Sequence, residues 1–326
     1  MTERAVCPVC GFRGDVLIII DDNSGIPRNE RTVCALGLFD GVHRGHRYII
    51  DTAVSKARSI GASSAVFCFK TDSVTSKGHD GMLEMLLDDN MKSERIAEAG
   101  TDYLYSPEFS DLKGMRPEAF VRDILLGKMG CVGAVCGEDF TFGRGAVGKA
   151  DDLKRLGEKY GIEVTVARAL TTDGVTISST LIRKLIRQGE IAKANELLGY
   201  RFGFELPVEH GFQRGRTWNF PTINQAIPRG RVLPRFGVYC SRVSVEGKTY
   251  NAVTDIGLKP TVEADLTRPL AETFILGYEG DLYGRNVRLE LFEFLRPEKR
   301  FESIDELKAE IRRNTMQAQK YFEENG

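Results

Sequence analysis

Apolar residues in the first half of the chain alternate between short unbroken runs and segments with helical spacing. Residues 31–41 (RTVCALGLFDG) contain an apolar run that ends at glycines, as a buried strand leading into a turn does. Residues 46–62 carry apolar side chains every three or four positions up to a glycine, which predicts a helix. Because residues 63–69 form another apolar run, the three segments predict a strand–helix–strand unit with parallel strands.

The same alternation continues along the chain to residue 170. Further helices are predicted over 91–99, 117–126 and 150–161, and further strands over 101–106, 131–137 and 162–170. Repeated alternation of this kind is typical of α/β domains with a doubly wound parallel sheet.

The second half of the chain has a different pattern. Residues 178–200 predict two helices separated by Gly189, and short alternating segments punctuated by glycine follow. Glu246 and Gly247 are predicted at the turn of a hairpin, and Ser303 is predicted to cap a helix that closes the chain. Runs of short strands without intervening helices favour an antiparallel barrel.

The predicted fold class is therefore α/β, with a doubly wound Rossmann-like domain followed by a small antiparallel β-barrel domain with a C-terminal helix. The predicted domains are residues 1–198 and residues 199–326.

Composition narrows the classes of function. The chain has 326 residues, 42% hydrophobic and 28% charged, with a formal net charge of −1, so it has no broad basic surface for nucleic acid or an anionic membrane. No apolar run is long enough to span a bilayer, and the N-terminus lacks the build of a signal peptide, so we expect a cytoplasmic protein.

Cysteine usage points neither to disulfides nor to a complete zinc site. The chain has seven cysteines, an odd number that argues against a disulfide framework. Cys7 and Cys10 (CPVCG) look like half of a zinc ribbon, but no second close pair has a suitable spacing. We therefore interpret them as incidental, with zinc bound between molecules as a minor alternative.

The stretch LGLFDGVHRGHRYI, residues 36–49, holds two of the four histidines of the chain. It lies where a predicted strand ends and a helix begins, a position that favours phosphate because helix N-termini present N–H groups. His43 and His46 are three residues apart, so both lie on one side of the first turn. A metal site and a structural turn are the alternatives; phosphate is favoured over zinc because the other histidines lie in unrelated contexts.

Two later stretches fit a nucleotide site. Residues 175–189 begin a helix with Ser178, Ser179 and Thr180 and place Arg183 one turn further on, which suits a triphosphate. Residues 136–148 (CGEDFTFGRGAVG) follow a strand and suit a loop that packs on a base or ring. A capped helix and an ordinary turn are the structural alternatives for each stretch alone.

In this order, GLFDGVHRGH, GEDFTFG and ISSTLIR resemble the nucleotide-binding motifs of the FMN adenylyltransferase module of bacterial bifunctional riboflavin kinase/FAD synthetases, a module of the HxGH nucleotidylyltransferase class. The resemblance implies that the adenylyl group of ATP is transferred to FMN, giving FAD and pyrophosphate. It assigns His43, His46 and Arg183 to catalysis and Asp139, Phe140 and Phe142 to the nucleotide or flavin side. It assigns to ATP binding Gly37, Phe39, Asp40, Gly41, Gly45, Ser178, Ser179 and Thr180.

One stretch departs from the pattern of this family. After the second strand, the family usually shows a phenylalanine followed by a turn with proline and histidine. Residues 67–74 read FCFKTDSV instead, without either residue. Lys70 is the cation in this stretch that can replace the missing positive charge.

A second candidate site lies in the predicted barrel. Thr222 and Asn224 are two residues apart, so on a strand they point to the same side, and their oxygens suit a Mg²⁺ ion shared with ATP phosphates. Glu272 lies on a predicted strand with apolar Phe274 and Leu276 alternating on its face, and an inward-facing acid there makes a good base. A carboxylate at the rim of the barrel is the structural alternative for Glu272.

This half resembles the riboflavin kinase module of the same family through RGRTWNFPTIN, DIGLKPTV, AETFIL and DLYG. The resemblance implies that Thr222 and Asn224 bind Mg²⁺·ATP and that Glu272 deprotonates the 5′-hydroxyl of riboflavin. It places ATP also against Arg214, Gly215, Arg216 and Pro221. Trp218-Asn219 replaces the usual Leu-Gly, and Asp255 replaces the usual Asn.

Together the two resemblances imply a bifunctional enzyme with Mg²⁺ as cofactor and with riboflavin, FMN, FAD, ATP, ADP and pyrophosphate as substrates and products. Two alternatives are a flavin-binding protein whose first half is only a scaffold, and a nucleotidylyltransferase that acts on another phosphate ester. The stretch at residues 67–74 favours the first alternative, and the kinase-like half disfavours the second.

Overall fold

The computed structural model describes residues 16–21, 24–71, 84–210, 221–260 and 267–325. It separates into two compact units, Met1–Ser179 and Thr180–Gly326. None of the helices in these described ranges has the length and apolar content needed to cross a membrane.

The first unit is built on a six-stranded parallel sheet in the order β1-β4-β3-β2-β5-β8. Its strands are β1 (Ile18–Ile20), β2 (Thr32–Leu36), β3 (Ser63–Phe67), β4 (Tyr103–Tyr105), β5 (Cys131–Gly137) and β8 (Glu163–Ala167). All five residues of β2 are buried, as expected for a central strand covered on both faces. The chain runs from β2 to β3 and β4 on one side and later to β5 and β8 on the other, so β2 and β5 flank the switch point of the sheet, where α/β proteins bind ligands.

Helices connect these strands. The first unit holds α1 (Arg44–Ser59), α2 (Asp89–Ala97), α3 (Phe109–Leu112), α4 (Pro117–Ala119), a π-helix (Phe120–Lys128), a 3₁₀ turn (Arg144–Ala146) and α5 (Ala150–Tyr160). Two small hairpins complete it: β6 (Thr141–Phe142) with β7 (Gly148–Lys149), and β9 (Thr171–Thr172) with β10 (Val175–Thr176).

Two predicted helices differ from the structure in detail. Helix α2 begins at Asp89, before the predicted start at residue 91, because the side chain of Asp88 caps it by accepting from the Met91 N–H at 2.8 Å. The helix predicted over 117–126 winds mostly as a π-helix that extends to Lys128, with Phe120 and Leu125 buried in the core. Strand β1, at the sheet edge, precedes the alternation predicted from the sequence.

The second unit begins with two helices and continues as a six-stranded antiparallel sheet in the order β11-β16-β13-β14-β15-β12. Its elements are α6 (Ser179–Gln188, whose first residue closes the first unit), α7 (Ile191–Leu198), β11 (Gly203–Pro207), β12 (Thr222–Ala226), β13 (Gly237–Val245), β14 (Lys248–Pro260), β15 (Thr267–Ile275), β16 (Asn286–Arg296) and α8 (Ile304–Asn325). The side-chain amide of buried Gln225 on β12 donates to the carbonyls of Leu206 on β11 and Val287 on β16, each at 2.8 Å. The two edges of the sheet are thereby joined into a nearly closed barrel.

The turn and the cap predicted for this half are confirmed. Glu246 and Gly247 connect β13 and β14 with φ values of 50° and 76°, the left-handed pair that a two-residue hairpin turn requires. Ser303 caps α8 by accepting from the Glu306 N–H at 3.1 Å. The fold class predicted from the sequence, a parallel α/β domain followed by an antiparallel barrel and a C-terminal helix, is confirmed.

The contacts of helix α7 concern the position of the domain boundary. Asn195 of α7 is buried, donates to the Leu291 carbonyl of β16 at 2.9 Å and accepts from the Phe202 N–H at 2.7 Å. Helix α7 therefore packs on the barrel, and the compact units divide the chain before Thr180. The division into residues 1–198 and 199–326 stays a prediction.

Candidate active sites

The loop between β2 and α1 has a strained backbone. Phe39 and Val42 have positive φ values of 51° and 33°, and Gly41 between them has 83°. A non-glycine residue in this region costs about 1–3 kcal/mol and persists only where its surroundings enforce it. Strain of this kind concentrates at ligand-binding loops, and this loop lies at the carboxyl end of a central strand.

Aromatic packing fixes one side of the loop. Phe39 is fully buried, and its ring meets the ring of His46 edge to face with centroids 5.4 Å apart. A Cβ on Gly37 would lie 3.0 Å from the Phe39 ring, so only glycine leaves room for this packing. Both residues therefore shape the loop from its buried side.

Asp40 fixes the other side of the loop. Its carboxylate is buried and accepts from the Leu86 N–H at 2.8 Å, and its carbonyl accepts from the Ser179 hydroxyl at 2.8 Å. The structure thus brings Ser179, predicted at the hydroxyl-rich helix start, to the histidine loop. This contact joins the two stretches that the sequence places 139 residues apart.

The two histidines stack on each other at the start of α1. His43 is the N-cap residue, and its Nδ1 accepts from the His46 N–H at 3.2 Å. The two rings are nearly parallel, with centroids 3.6 Å apart. A Cβ on Gly45 would lie 3.2 Å from the His43 ring, so glycine lets the ring fold over the helix start.

The electrostatics of this helix start favour an anion. Helix α1 has no acidic residue in its first turn and ends with Lys56 and Arg58 in its last turn. The helix dipole and the N–H groups of the first turn are therefore not neutralised by a carboxylate within that turn. Two imidazoles beside such a helix start can donate to phosphate oxygens.

The remaining residues of the predicted nucleotide site differ in burial. Ser178 is half-buried, Thr180 is exposed and Arg183 is buried in α6. Phe142 is buried in the core of the first unit, stacked on Phe140 with centroids 5.7 Å apart. The exposed Asp139 follows β5 at the switch point of the sheet.

The unusual stretch after β3 is described as far as Thr71, and residues 72–74 lie outside the described residues. The ammonium group of Lys70 pairs with the Glu108 carboxylate at 3.0 Å, and both side chains are nearly half exposed. The cation that the sequence suggested for this stretch is therefore engaged at the surface.

The second candidate site forms on neighbouring strands of the barrel. Asn224 on β12 is in register with Glu272 on β15, and Glu272 is in register with Asp255 on β14. The Thr222 hydroxyl donates to the Glu272 carboxylate at 3.0 Å. Because alternate residues share a face, these four side chains lie together on one face of three adjacent strands.

Sequence reasoning treated Asp255 only as a departure from the family pattern, whereas the register places it directly beside Glu272. The sequence contained a signal for this role, because an acidic residue two positions before Gly257 in a largely apolar strand is as unusual as Glu272 itself. Pro221, just before β12, is exposed. Arg214, Gly215 and Arg216, like Trp218-Asn219, Cys7 and Cys10, lie outside the described residues.

Oxygen donors, not soft ligands, dominate this second site. In the described ranges, no group of three or more histidine, cysteine or acidic side chains is arranged to hold a metal ion. A hydroxyl, a carboxamide and carboxylates are the hard donors that Mg²⁺ takes together with phosphate oxygens. The site fits a metal that arrives with a nucleotide.

Both halves of the chain match known protein families. Residues 26–181 match the family model for FAD synthetase, and residues 198–322 match the family model for riboflavin kinase. The chain is 34% identical to a bifunctional riboflavin kinase/FMN adenylyltransferase of Bacillus subtilis (strain 168), with 90% of this chain and 93% of that protein covered. It is 34% identical to the protein with the same description from Escherichia coli (strain K12), with the same coverage. It is 32% identical to the one from Listeria monocytogenes, with 89% of this chain and 92% of that protein covered.

Among solved structures, the chain is similar to one described as a macrolide-efflux protein from Streptococcus pneumoniae. The TM-score is 0.81 at 26% identity, with 93% of this chain and 98% of that chain covered. This similarity extends over both units and agrees with the fold described above.

Proposed function

The chain belongs to the family of bifunctional riboflavin kinase/FMN adenylyltransferases, and from this premise we propose that it converts riboflavin to FMN and FMN to FAD, using ATP in both steps. The observation that carries the proposal is that each compact unit holds its own set of polar side chains, at the carboxyl end of β2 in the first unit and on one face of three adjacent strands in the second. His43 and His46 stack at a helix start in the first unit, and Thr222 bonds Glu272 in the second.

In adenylyl transfer, an oxygen of the FMN phosphate attacks the α-phosphorus of ATP, and the bond to the pyrophosphate oxygen breaks. No protein nucleophile is needed, so the protein contributes position and charge stabilisation. Because Nδ1 of His43 accepts from the His46 N–H, the proton of a neutral His43 ring is on Nε2. Nε2 is then the atom that donates to a phosphate oxygen at the start of α1.

The other residues of this site have supporting roles in the proposal. Gly37, Gly41 and Gly45 let the loop turn closely around the phosphates. Phe39 and Asp40 hold the loop in place through their buried side chains. We assign contacts with ATP phosphates to Ser178, Ser179, Thr180 and Arg183, and contacts at the nucleotide or flavin side to Asp139, Phe140 and Phe142.

In riboflavin phosphorylation, the 5′-hydroxyl of riboflavin attacks the γ-phosphorus of ATP and ADP leaves. Glu272 takes the proton of that hydroxyl as general base. The hydrogen bond from Thr222 orients the Glu272 carboxylate before the substrate arrives. Asp255 on β14 is in register with Glu272, so its side chain lies beside the proposed base on the same face of the barrel.

Thr222 and Asn224 would hold Mg²⁺ through their side-chain oxygens, with ATP phosphates as further ligands. The fit rests on the donor set, since Thr222 and Asn224 share a face and Asn224 is nine-tenths buried. When bound, Mg²⁺ neutralises charge on the phosphates. We assign Arg214, Gly215, Arg216 and Pro221 to the same nucleotide.

We also propose that the chain divides functionally into residues 1–198 and 199–326 and that it works in the cytoplasm. The formal net charge of −1 gives no basis for nucleic acid or a membrane as a partner.

Flavin chromatography tests the proposal. Purified protein is incubated with riboflavin, ATP and Mg²⁺, and riboflavin, FMN and FAD are separated over time. We expect FMN to appear first and FAD to follow. If FMN forms but no FAD appears, even when FMN is supplied directly, the result supports a first unit that is only a scaffold. If no flavin product forms at all, the proposal is refuted.

A further inference from the structure

The first turn of α2 holds a lysine whose ammonium group is buried. Lys92 is 1% exposed, and its Nζ donates to the Phe69 carbonyl at 2.6 Å and to the Thr71 hydroxyl at 3.0 Å. Its third neighbour is the Asp89 carboxylate at 3.0 Å. An ammonium group has three N–H donors, so these three oxygens match its bonding capacity.

Asp89 closes this cluster. Its carboxylate accepts from the Thr71 N–H at 2.7 Å as well as from Lys92. Partial burial acts to raise the pKa of Asp89, but the charge of Lys92 and the hydrogen bonds from Thr71 outweigh it and lower that pKa below its usual value. Together Asp89 and Lys92 therefore bond both the backbone N–H and the side-chain hydroxyl of Thr71.

The cluster lies between two loops at the carboxyl edge of the parallel sheet. Phe69 and Thr71 follow β3, and the segment that leads into α2 also reaches the histidine loop, where the Leu86 N–H donates to Asp40. The two loops are joined directly as well, since the Gly37 N–H donates to the Phe67 carbonyl at 3.2 Å. Residues 84–92 thus contact both loops, which follow neighbouring strands at the carboxyl edge of the sheet.

The contacts of the Lys92 ammonium group converge on one short stretch of the chain. An apolar side chain of similar length fills a buried position without the desolvation that a charge requires. Here all three ammonium contacts serve one stretch, two of them within Phe69–Thr71 and the third through Asp89, which itself holds Thr71. The charge is therefore used to fix the backbone after β3.

We propose that Lys92 is a positioning residue for adenylyl transfer, which holds Phe69–Thr71 in the conformation that receives FMN beside the ATP phosphates at His43. This rests on the proposed adenylyltransferase function of the first unit. We infer an effect on FMN rather than on ATP because the histidine loop proposed for the ATP phosphates follows β2, whereas Phe69–Thr71 follow the adjacent strand β3 at the same edge of the sheet.

The test compares Lys92→Met and Thr71→Val with the full-length wild type. Lys92→Met removes the ammonium group and keeps the length of the side chain, whereas Thr71→Val removes one of its acceptors. Lys56→Met is the matched control, because Lys56 pairs with Glu163 at 2.6 Å elsewhere on the first unit. Initial rates of FAD formation are measured at varied FMN and saturating ATP with Mg²⁺, and riboflavin phosphorylation is measured on the same preparations.

We expect Lys92→Met to raise KM for FMN roughly 10-fold and Thr71→Val roughly threefold, with kcat changed less than about threefold. The KM for ATP, the control variant and riboflavin phosphorylation stay within about twofold of wild type. A global loss of structure would lower both activities together, so the split between KM and kcat separates positioning from folding.

Unchanged KM for FMN in both variants overturns the proposal while FAD synthesis by the wild type stands. A lower kcat or melting temperature without a change in KM overturns it too, because that result shows a structural role only. If Lys92→Met does not fold, Thr71→Val decides, since it keeps the ammonium group. If the wild type forms no FAD from FMN, the proposed function fails and this proposal fails with it.

Discussion

Replacing Gly45 with alanine separates the stability of α1 from the geometry of its histidines. A Cβ at this position would lie 3.2 Å from Cε1 and Nδ1 of the His43 ring and 3.6 Å from the Ile177 carbonyl oxygen. The first distance is shorter than ordinary van der Waals contact, so the ring must shift by a few tenths of an ångström. The shift acts directly on the stack with His46 and on the hydrogen bond from the His46 N–H.

The free energy of unfolding is expected to change little. Alanine in place of glycine stabilises a helix by at most about 1 kcal/mol, and a weakened N-cap costs about 1 kcal/mol. Activity has no such compensation, because misplaced groups at a phosphate-transfer site cost up to about 100-fold in rate, or about 2.7 kcal/mol. Gly45→Ala is therefore expected to lower kcat/KM for FAD formation roughly 10- to 100-fold at nearly unchanged stability.

The assay follows FAD formation from FMN and ATP by chromatography, with thermal unfolding on the same samples. Gly114→Ala is the matched control, because a Cβ on Gly114 meets nothing within 4 Å. Riboflavin phosphorylation is the internal control of the second unit. If Gly45→Ala forms FAD within about twofold of the wild-type rate, the ring of His43 is not required in the position described, and the reasoning is refuted.

Three further predictions concern the frame around the sites. Gln225→Leu leaves the carbonyls of Leu206 and Val287 without the side-chain donor of Gln225, so we expect a loss of about 2–3 kcal/mol in urea unfolding; no change in midpoint would contradict the closure of the barrel. The pKa of Asp89 is lowered in the folded protein, so this carboxylate stabilises the fold fully above its unfolded pKa of about 4, and the stabilisation is lost as pH falls through the folded pKa. Asp89→Asn should therefore lower the free energy of unfolding more at about pH 6 than at about pH 3. An equal effect at both pH values would count against the ion pair with Lys92. Burial raises the pKa of the Cys136 thiol to about 11, so iodoacetamide should leave it unmodified in the native protein at about pH 8, as mass spectrometry would show, and rapid labelling would disprove its burial.

Hydrophobic periodicity was sufficient for most of the fold because β2 is buried along its whole length and α1 buries one face. Strand β2 and helix α1 follow directly from their apolar spacing, and the hairpin at Glu246-Gly247 from its turn residues. Strand β1 has only three residues, two of them exposed, so its pattern is too short to detect. The winding of Phe120–Lys128 as a π-helix depends on packing that no local spacing encodes.

The chemistry of the sites was partly predictable for a similar reason. The spacing of His43 and His46 at a helix start predicted that both lie on one side of the first turn, and their rings stack there. Contacts between distant segments were not predictable, such as the bond from Leu86 to Asp40 or the place of Lys92 under residues 69–71. A lysine on a short helix is ordinarily expected at the surface, and only the tertiary fold supplies two of the three oxygens around its ammonium group, those of Phe69 and Thr71.

The central claim is that two independent sites act in sequence, and a pair of single variants tests it most directly. Time courses with riboflavin, and separately with FMN, are measured for Glu272→Gln and His46→Ala in the presence of ATP and Mg²⁺. Glu272→Gln is expected to form no FMN from riboflavin yet convert supplied FMN to FAD, and His46→Ala to form FMN that accumulates without FAD. Loss of both conversions in either folded variant would contradict the account.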